Sequence, residues 1–265
     1  MKGSYMLNYS KSLFHFFVVI CVILLNTSLN AQSLDELLKD GDKFTEEFNN
    51  QKALDTYLKA DKMFPDQWEV KWRISRAYID IGEHMPEKTD EQKDAQLAFY
   101  QKALSYAESS VKLASNQSIT YIRRAVANGR IALFKGVFSV GGIVTQVKED
   151  CEKAIKLGNG GNYVQSLAHY VLGRTHAKVS EKWAPARAVL GLGWADLEIG
   201  IKELKKSTEL YPNFRMFYLD LGKAYIEDGQ DDKAKEILNK LVNSPKKDED
   251  DDKFLSEAKQ LLKEL

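Results

Sequence analysis

Cations recur in one local setting along this chain. Arg76 follows Ser75, Arg174 follows Gly173, and Lys223 follows Gly222, each inside a stretch of helical apolar periodicity. A side chain that returns at the same place in successive similar segments points the same way each time once those segments stack. Convergent cations of this kind suit a carboxylate, a peptide C-terminus or a phosphate headgroup, because hydrogen bonds from a charged donor are stronger than neutral ones. Lys178 and Arg123 extend the set, and Trp72 and Tyr170 belong to the same inward-facing surface. Glu69, Asp80 and Glu227 lie close enough in sequence to neutralise these cations internally instead, as pairs at half-buried sites commonly do.

Other chemistry finds little footing. His169 and His176 share a helix face, but no third ligand at metal spacing accompanies them, and they read as structural. GNGGN (158–162) is a turn after a helix, without the strand and third glycine of a nucleotide loop. No GxSxG, HExxH or paired-acid pattern occurs, so no catalytic residue, metal or cofactor is expected. With 38 basic and 38 acidic residues the chain has no global field for gathering nucleic acid.

The N-terminus reads as a targeting segment. Lys2 and Lys11 precede the apolar run LFHFFVVICVILL (13–25), and NTSLNA leads to a small residue at Ala31. This is the layout of a secretory signal peptide, and the run is short for a membrane span. Cleavage after Ala31 is expected, giving a periplasmic or secreted protein with no stable membrane span; an uncleaved anchor is the alternative. Removing residues 1–31 deletes two Lys and no acids, so the balance becomes 36 − 38 = −2. Cys151 is then the sole cysteine, unable to close an internal disulfide. It reads as a small buried apolar residue, since no His or Gly-rich turn adjoins it to support a reactive thiol.

The elements that must position the cations are helical hairpins. In GDKFTEEFNNQKALDTYLKADKMFP (41–65), Gly41 and Ala53 are small where two helix axes approach, and Phe44 and Tyr57 fill the space beside them. Pro65 stops the second helix. Those are the signature positions of a tetratricopeptide unit, about 34 residues long. A lone hairpin cannot bury its apolar face, so further copies must follow. The second pairs 68–82 with 102–115 across a charged connection around EHMPEKTDEQKD. The third joins 119–134 to 147–158, the fourth joins 169–176 to 200–212 after an insertion, and the fifth spans 220–238. Phe254, Leu255, Ala258, Leu261, Leu262 and Leu265 lie on one stripe, as a helix covering the open end of a solenoid requires. The acidic run before it reads as a solvated linker and helix start. The expected fold is therefore an all-α solenoid of about five modified repeats over 32–265, with a capping helix at 250–265.

WEVKWRISRAYIDIGE, LAHYVLGRTHAKVSE and IKELKKSTELYPNFRMFYLDLGKAYIEDG resemble the tetratricopeptide domain of the regulator of microtubule dynamics family. The resemblance rests on Trp72, Arg73, Arg76 and Ala77; on Leu172, Gly173 and Arg174; and on Pro212, Phe214, Leu221, Gly222 and Lys223, and runs over 65–243. It implies the same helical fold, and, because related eukaryotic domains are implicated in these roles, protein tethering or lipid binding. A secreted, bacterial-type version would share the fold without a reason to meet microtubules.

Two insertions, FKGVFSVGGIVTQV (134–147) and WAPARAVLGLGWADLEIG (183–200), are apolar where surface connections are usually polar. Either they fold back onto the helices, or they wall a cavity with Phe138, Val140, Ile143, Trp183, Leu190 and Trp194 as contacts. The functional expectation is a non-catalytic scaffold holding a protein or peptide in its concave groove. The alternative is a carrier for a lipid or small organic anion, walled by those insertions.

Overall fold

Small residues at one place in each hairpin decide how closely its two helices nest. The computed structural model describes residues 32–136, 139–212 and 214–265, and segment 1–31, on which the signal-peptide expectation falls, lies outside them. Among the described residues there are twelve helices and no strand. The first hairpin joins α1 (Leu34–Glu46) to α2 (Asn50–Met63). Ser33 starts α1 with a reciprocal cap: its hydroxyl accepts from the Glu36 N–H, and the Glu36 carboxylate accepts from the Ser33 N–H. A Cβ at Gly41 would stand 2.2 Å from a Tyr57 ring carbon, so the glycine is what lets the ring lie across α1.

The second hairpin pairs α3 (Trp68–Glu83) with α4 (Asp90–Leu113). Here the sequence reading needs correction, because α4 starts well before residue 102 and absorbs part of the expected connection. Thr89 and Gln92 form a second reciprocal cap. Gln96, buried one turn further on, donates to the Gly82 carbonyl at 2.9 Å, and Tyr100 packs where Gly82 has no side chain. Those contacts hold a polar segment helical.

The third hairpin is α5 (Ser118–Lys135) with α6 (Gly141–Leu157), and the fourth is α7 (Gly161–Ser180) with α9 (Leu197–Leu210), with the short α8 (Ala184–Val189) between them. The fifth is α10 (Arg215–Glu227) with α11 (Asp231–Asn243), and α12 (Asp251–Glu264) follows. Each hairpin packs on the next through its second helix, and first helices also touch: α3 meets α5, and α5 meets α7. This is solenoid packing, in which every unit completes its neighbour's core. Phe254, Leu255, Leu261, Leu262 and Leu265 of the last segment gather around Tyr218, Leu219, Leu238, Leu241 and Ala258, covering the terminal apolar face.

The acidic run starts α12 as expected, but it is only partly solvated. Asp251 is fully buried, its carboxylate accepting the backbone N–H groups of Lys247 and Asp248, while Arg215 donates to the carbonyls of Ser244 at 2.7 Å and Asp251 at 3.2 Å. The same loop reaches the beginning of the chain. Asn50 donates to Glu249 at 2.9 Å, and His84 Nε2 lies 3.6 Å from Asp250 and 3.8 Å from Glu249. The superhelix thus curls until its last loop meets its first two hairpins.

Candidate functional site

That curl encloses a groove of about 640 Å³. Its floor and walls come from the first helices α3, α5, α7 and α10, and α12 with its leading loop closes one side. Val126, Leu133, Phe134, Leu167, Val171 and Met216 give it apolar stretches. Between them stand charged side chains, and most are already paired. Arg76 donates to Asp80 at 3.2 Å, Arg130 pairs with Glu83, and Lys223 reaches Glu257 of α12 at 2.6 Å. Lys178 meets Glu181 at 2.6 Å.

The tightest cluster joins α7 to α10. Tyr170 donates its hydroxyl proton to Asp220 at 2.6 Å, and Arg174 donates to the Tyr170 oxygen at 2.7 Å while standing 3.2 Å from the same carboxylate. Both Tyr170 and Asp220 are buried. The Tyr170 oxygen and then the Asp220 carboxylate hold Arg174 more firmly protonated than usual, against the effect of burial. Burial, with the Asp220 charge beside it, raises the Tyr170 phenol far above its ordinary range. Burial also works against the charge on Arg76, but the Asp80 carboxylate together with the Tyr163 and Tyr57 phenols more than offsets it. The arrangement is a rigid, locally neutralised wall.

Arg76, Tyr170, Arg174, Lys178 and Lys223 all line this groove, as their shared register implies. Trp72 does not. Its half-buried ring is stacked between cations instead, with the Arg73 guanidinium 4.3 Å and the Arg123 guanidinium 5.5 Å from its centre. Of the expected internal partners only Asp80 pairs with a groove cation; among the described residues the Glu69 and Glu227 carboxylates do not. The other pairing carboxylates are Glu83, Glu181, Asp220 and Glu257, and sequence reasoning missed these four. Lys178 and Glu181 are one helical turn apart, a spacing that signals such a pair. The others meet across helices, and no spacing announces that.

The apolar insertions are placed differently from a cavity wall. Val140, Ile143, Leu190 and Trp194 pack around Ala132, Val144, Val179, Leu192 and Ala195 into a filled cluster beside α5, α6 and α7. Trp183 projects outward with 74% of its surface exposed, and Phe138 lies outside the described residues. None of the placed residues borders the groove. The cause is local: α6 begins at Gly141, so much of the first insertion is helix, and a Cβ at Gly141 would meet the Leu190 carbonyl at 2.9 Å. The two insertions seal each other.

The two histidines are separated by their partners. His169 Nδ1 hydrogen-bonds Glu203 at 2.5 Å, whereas His176 Nδ1 accepts the Asp196 N–H at 3.2 Å and its ring meets Trp194 edge-on. Burial, with Lys148 nearby, lowers the His176 pKa. Cys151 is wholly buried in the core between α5, α6 and α7, and burial pushes its thiol well above the usual range. It is a packing residue.

Comparison with known proteins agrees with this fold. The family model for regulator of microtubule dynamics proteins 1–3 matches residues 32–265. Regulator of microtubule dynamics protein 3 of Rattus norvegicus is 24% identical over 242 residues, covering 89% of this chain and 48% of its own length. Protein 2 of Mus musculus is 25% identical over 248 residues, covering 91% and 58% respectively. The chain thus spans about half the length of the curated relatives it matches. Among solved structures, a thermophilic TPR protein of Thermus thermophilus superposes with a TM-score of 0.60 at 17% identity, covering 86% of this chain and all of the other, a likeness of fold. By fold and by sequence match the chain belongs to the regulator of microtubule dynamics family.

Proposed function

We propose that this protein is a non-catalytic scaffold that holds a protein or peptide partner in its concave groove, and that it does so in the periplasm or after secretion. The observation that supports the binding reading is the groove itself. The first helices of four successive units share it, and apolar stretches alternate with pinned polar groups along rigid walls. A surface of that kind is largely preformed, so little ordering entropy opposes association. The location rests on the signal-like segment 1–31. The carrier alternative has less support, because Val140, Ile143, Leu190 and Trp194 pack against one another and do not border the groove.

Leu133 offers the test. It borders the groove, is 49% exposed, and can be changed without touching the core. Leu133→Glu is expected to weaken partner capture about tenfold, the loss typical of an apolar anchor in an interface. Val189→Glu, on the exposed side of α8 and away from the groove, is expected to change nothing. Quantitative pull-down with both variants checks this; equal capture by Leu133→Glu and the parent would contradict the groove assignment.

A further inference from the structure

One guanidinium in the groove lacks an acidic partner among the described residues. Arg123 of α5 borders the groove and is only 8% exposed, yet among those residues its Nε and Nη2 meet no hydrogen-bond acceptor. Every arginine beside it is paired: Arg76 with Asp80, Arg130 with Glu83, Arg174 with Asp220. A guanidinium stays charged at any ordinary pH, so leaving two donors empty in a buried setting is costly unless something fills them.

The empty edge has a known complement within this chain. Arg73 uses Nε and Nη2 to donate to the two carboxylate oxygens of Asp42 at 2.7 and 2.8 Å. Arg124, the next residue, uses the same two atoms on Asp150 at 2.8 and 2.6 Å. We propose that the Nε–Nη2 edge of Arg123 anchors a carboxylate of the protein or peptide partner in the groove. This rests on the groove reading above and specifies the chemistry of its deepest contact.

The charge around the site selects for a monoanion. Asp80, Glu83 and Asp220 border the same groove, each paired with its own arginine. An unpaired guanidinium close to those acids matches one carboxylate, whereas a phosphate dianion would bring a second charge against them. Trp72 holds one face of the guanidinium, and the Tyr163 phenol lies beside it and borders the groove. Surrounding side chains shield both nitrogens from water, and the proposal requires Tyr163, which borders the groove beside the guanidinium, to turn aside as the carboxylate enters.

The experiment is a titration of the full chain followed at the arginine Nε–H resonances, with Arg123 assigned by its loss in Arg123→Gln. Four probes are used at constant ionic strength: N-acetyl-leucine, the α-amide of N-acetyl-glutamate, N-acetyl-leucinamide and inorganic phosphate. A saturable shift of the Arg123 resonance with either carboxylate, absent with the leucinamide and phosphate, is the expected result. The first probe identifies a chain terminus and the second an acidic side chain. Arg123→Gln is expected to weaken the carboxylate about ten- to a hundredfold, the range for a hydrogen bond to a charged group, while melting no lower than the parent. Tighter binding of phosphate, no shift with any probe, or a Gln variant that melts clearly lower would each overturn the proposal. If the anchor fails while Leu133→Glu still lowers capture, the groove reading stands alone; if Leu133→Glu has no effect, that reading fails first.

Discussion

Gly173→Val should lower the stability of the protein by about 3 kcal/mol or more, the top of the usual range for overpacking a close contact. A Cβ at this position would stand 2.7 Å from the Leu204 backbone nitrogen and 2.8 Å from the Gly200 carbonyl oxygen. Gly200 returns the constraint, with a Cβ there 3.0 Å from the backbone of Ala177 and Gly173. The obstructing atoms are backbone, so no rotamer change relieves the clash, and α7 and α9 must separate. That separation would open the core that both helices share with α10. In thermal unfolding the loss corresponds to a fall of roughly 6–12 °C for a domain of this size. Gly129→Ala on α5 is the control: nothing lies within 4 Å of its missing Cβ, so it is expected to be neutral or slightly stabilising. A Gly173→Val protein that melts with the parent would show that α7 and α9 are not nested here.

Asp220→Ala carries the second large effect. Its carboxylate receives the Tyr170 hydroxyl and neutralises Arg174 across the α7–α10 junction. Removing it strands a buried phenolic donor and leaves a guanidinium without its counter-charge, two losses that mutational experience prices in kilocalories. The Arg174 side chain keeps 31% of its exposure, so water takes up part of the difference. The expected cost is about 2–3 kcal/mol, read as a lower urea midpoint at an unchanged slope. Asp220→Asn keeps an acceptor for Tyr170 while losing the charge, and should fall between the parent and the alanine variant. Equal stability of the alanine variant and the parent would mean that the cluster is not formed in solution.

How much of this was legible beforehand follows from what a repeat sequence encodes. Gly41, Gly173 and Gly222 mark places where two helices of the same unit touch, and each is crowded in the structure by its expected partner helix. That information is local, and periodicity exposes it. The direction of Arg76, Arg174, Lys178 and Lys223 was legible for the same reason, because register fixes which side of a helix faces inward. What those cations meet was not. Asp220, Glu83 and Glu257 come from other helices, and their distances depend on how tightly the superhelix curls, a property no single unit specifies. Trp72 shared the inward register but was drawn aside by two guanidinium faces. The apolar insertions misled because composition shows that a segment is buried without showing whether a neighbour or a ligand covers it. The acidic run looked solvated because Asp251 is buried by backbone N–H groups of its own loop, which leave no mark on composition.

The central claim is that the partner lies in the curl formed by the first helices. Photo-crosslinking tests it most directly, with benzoylphenylalanine placed at Leu133 in the groove or at Val189 outside it. Covalent capture of the same partner from position 133 and none from position 189 is the predicted outcome. Capture from 189 with none from 133 would contradict the account.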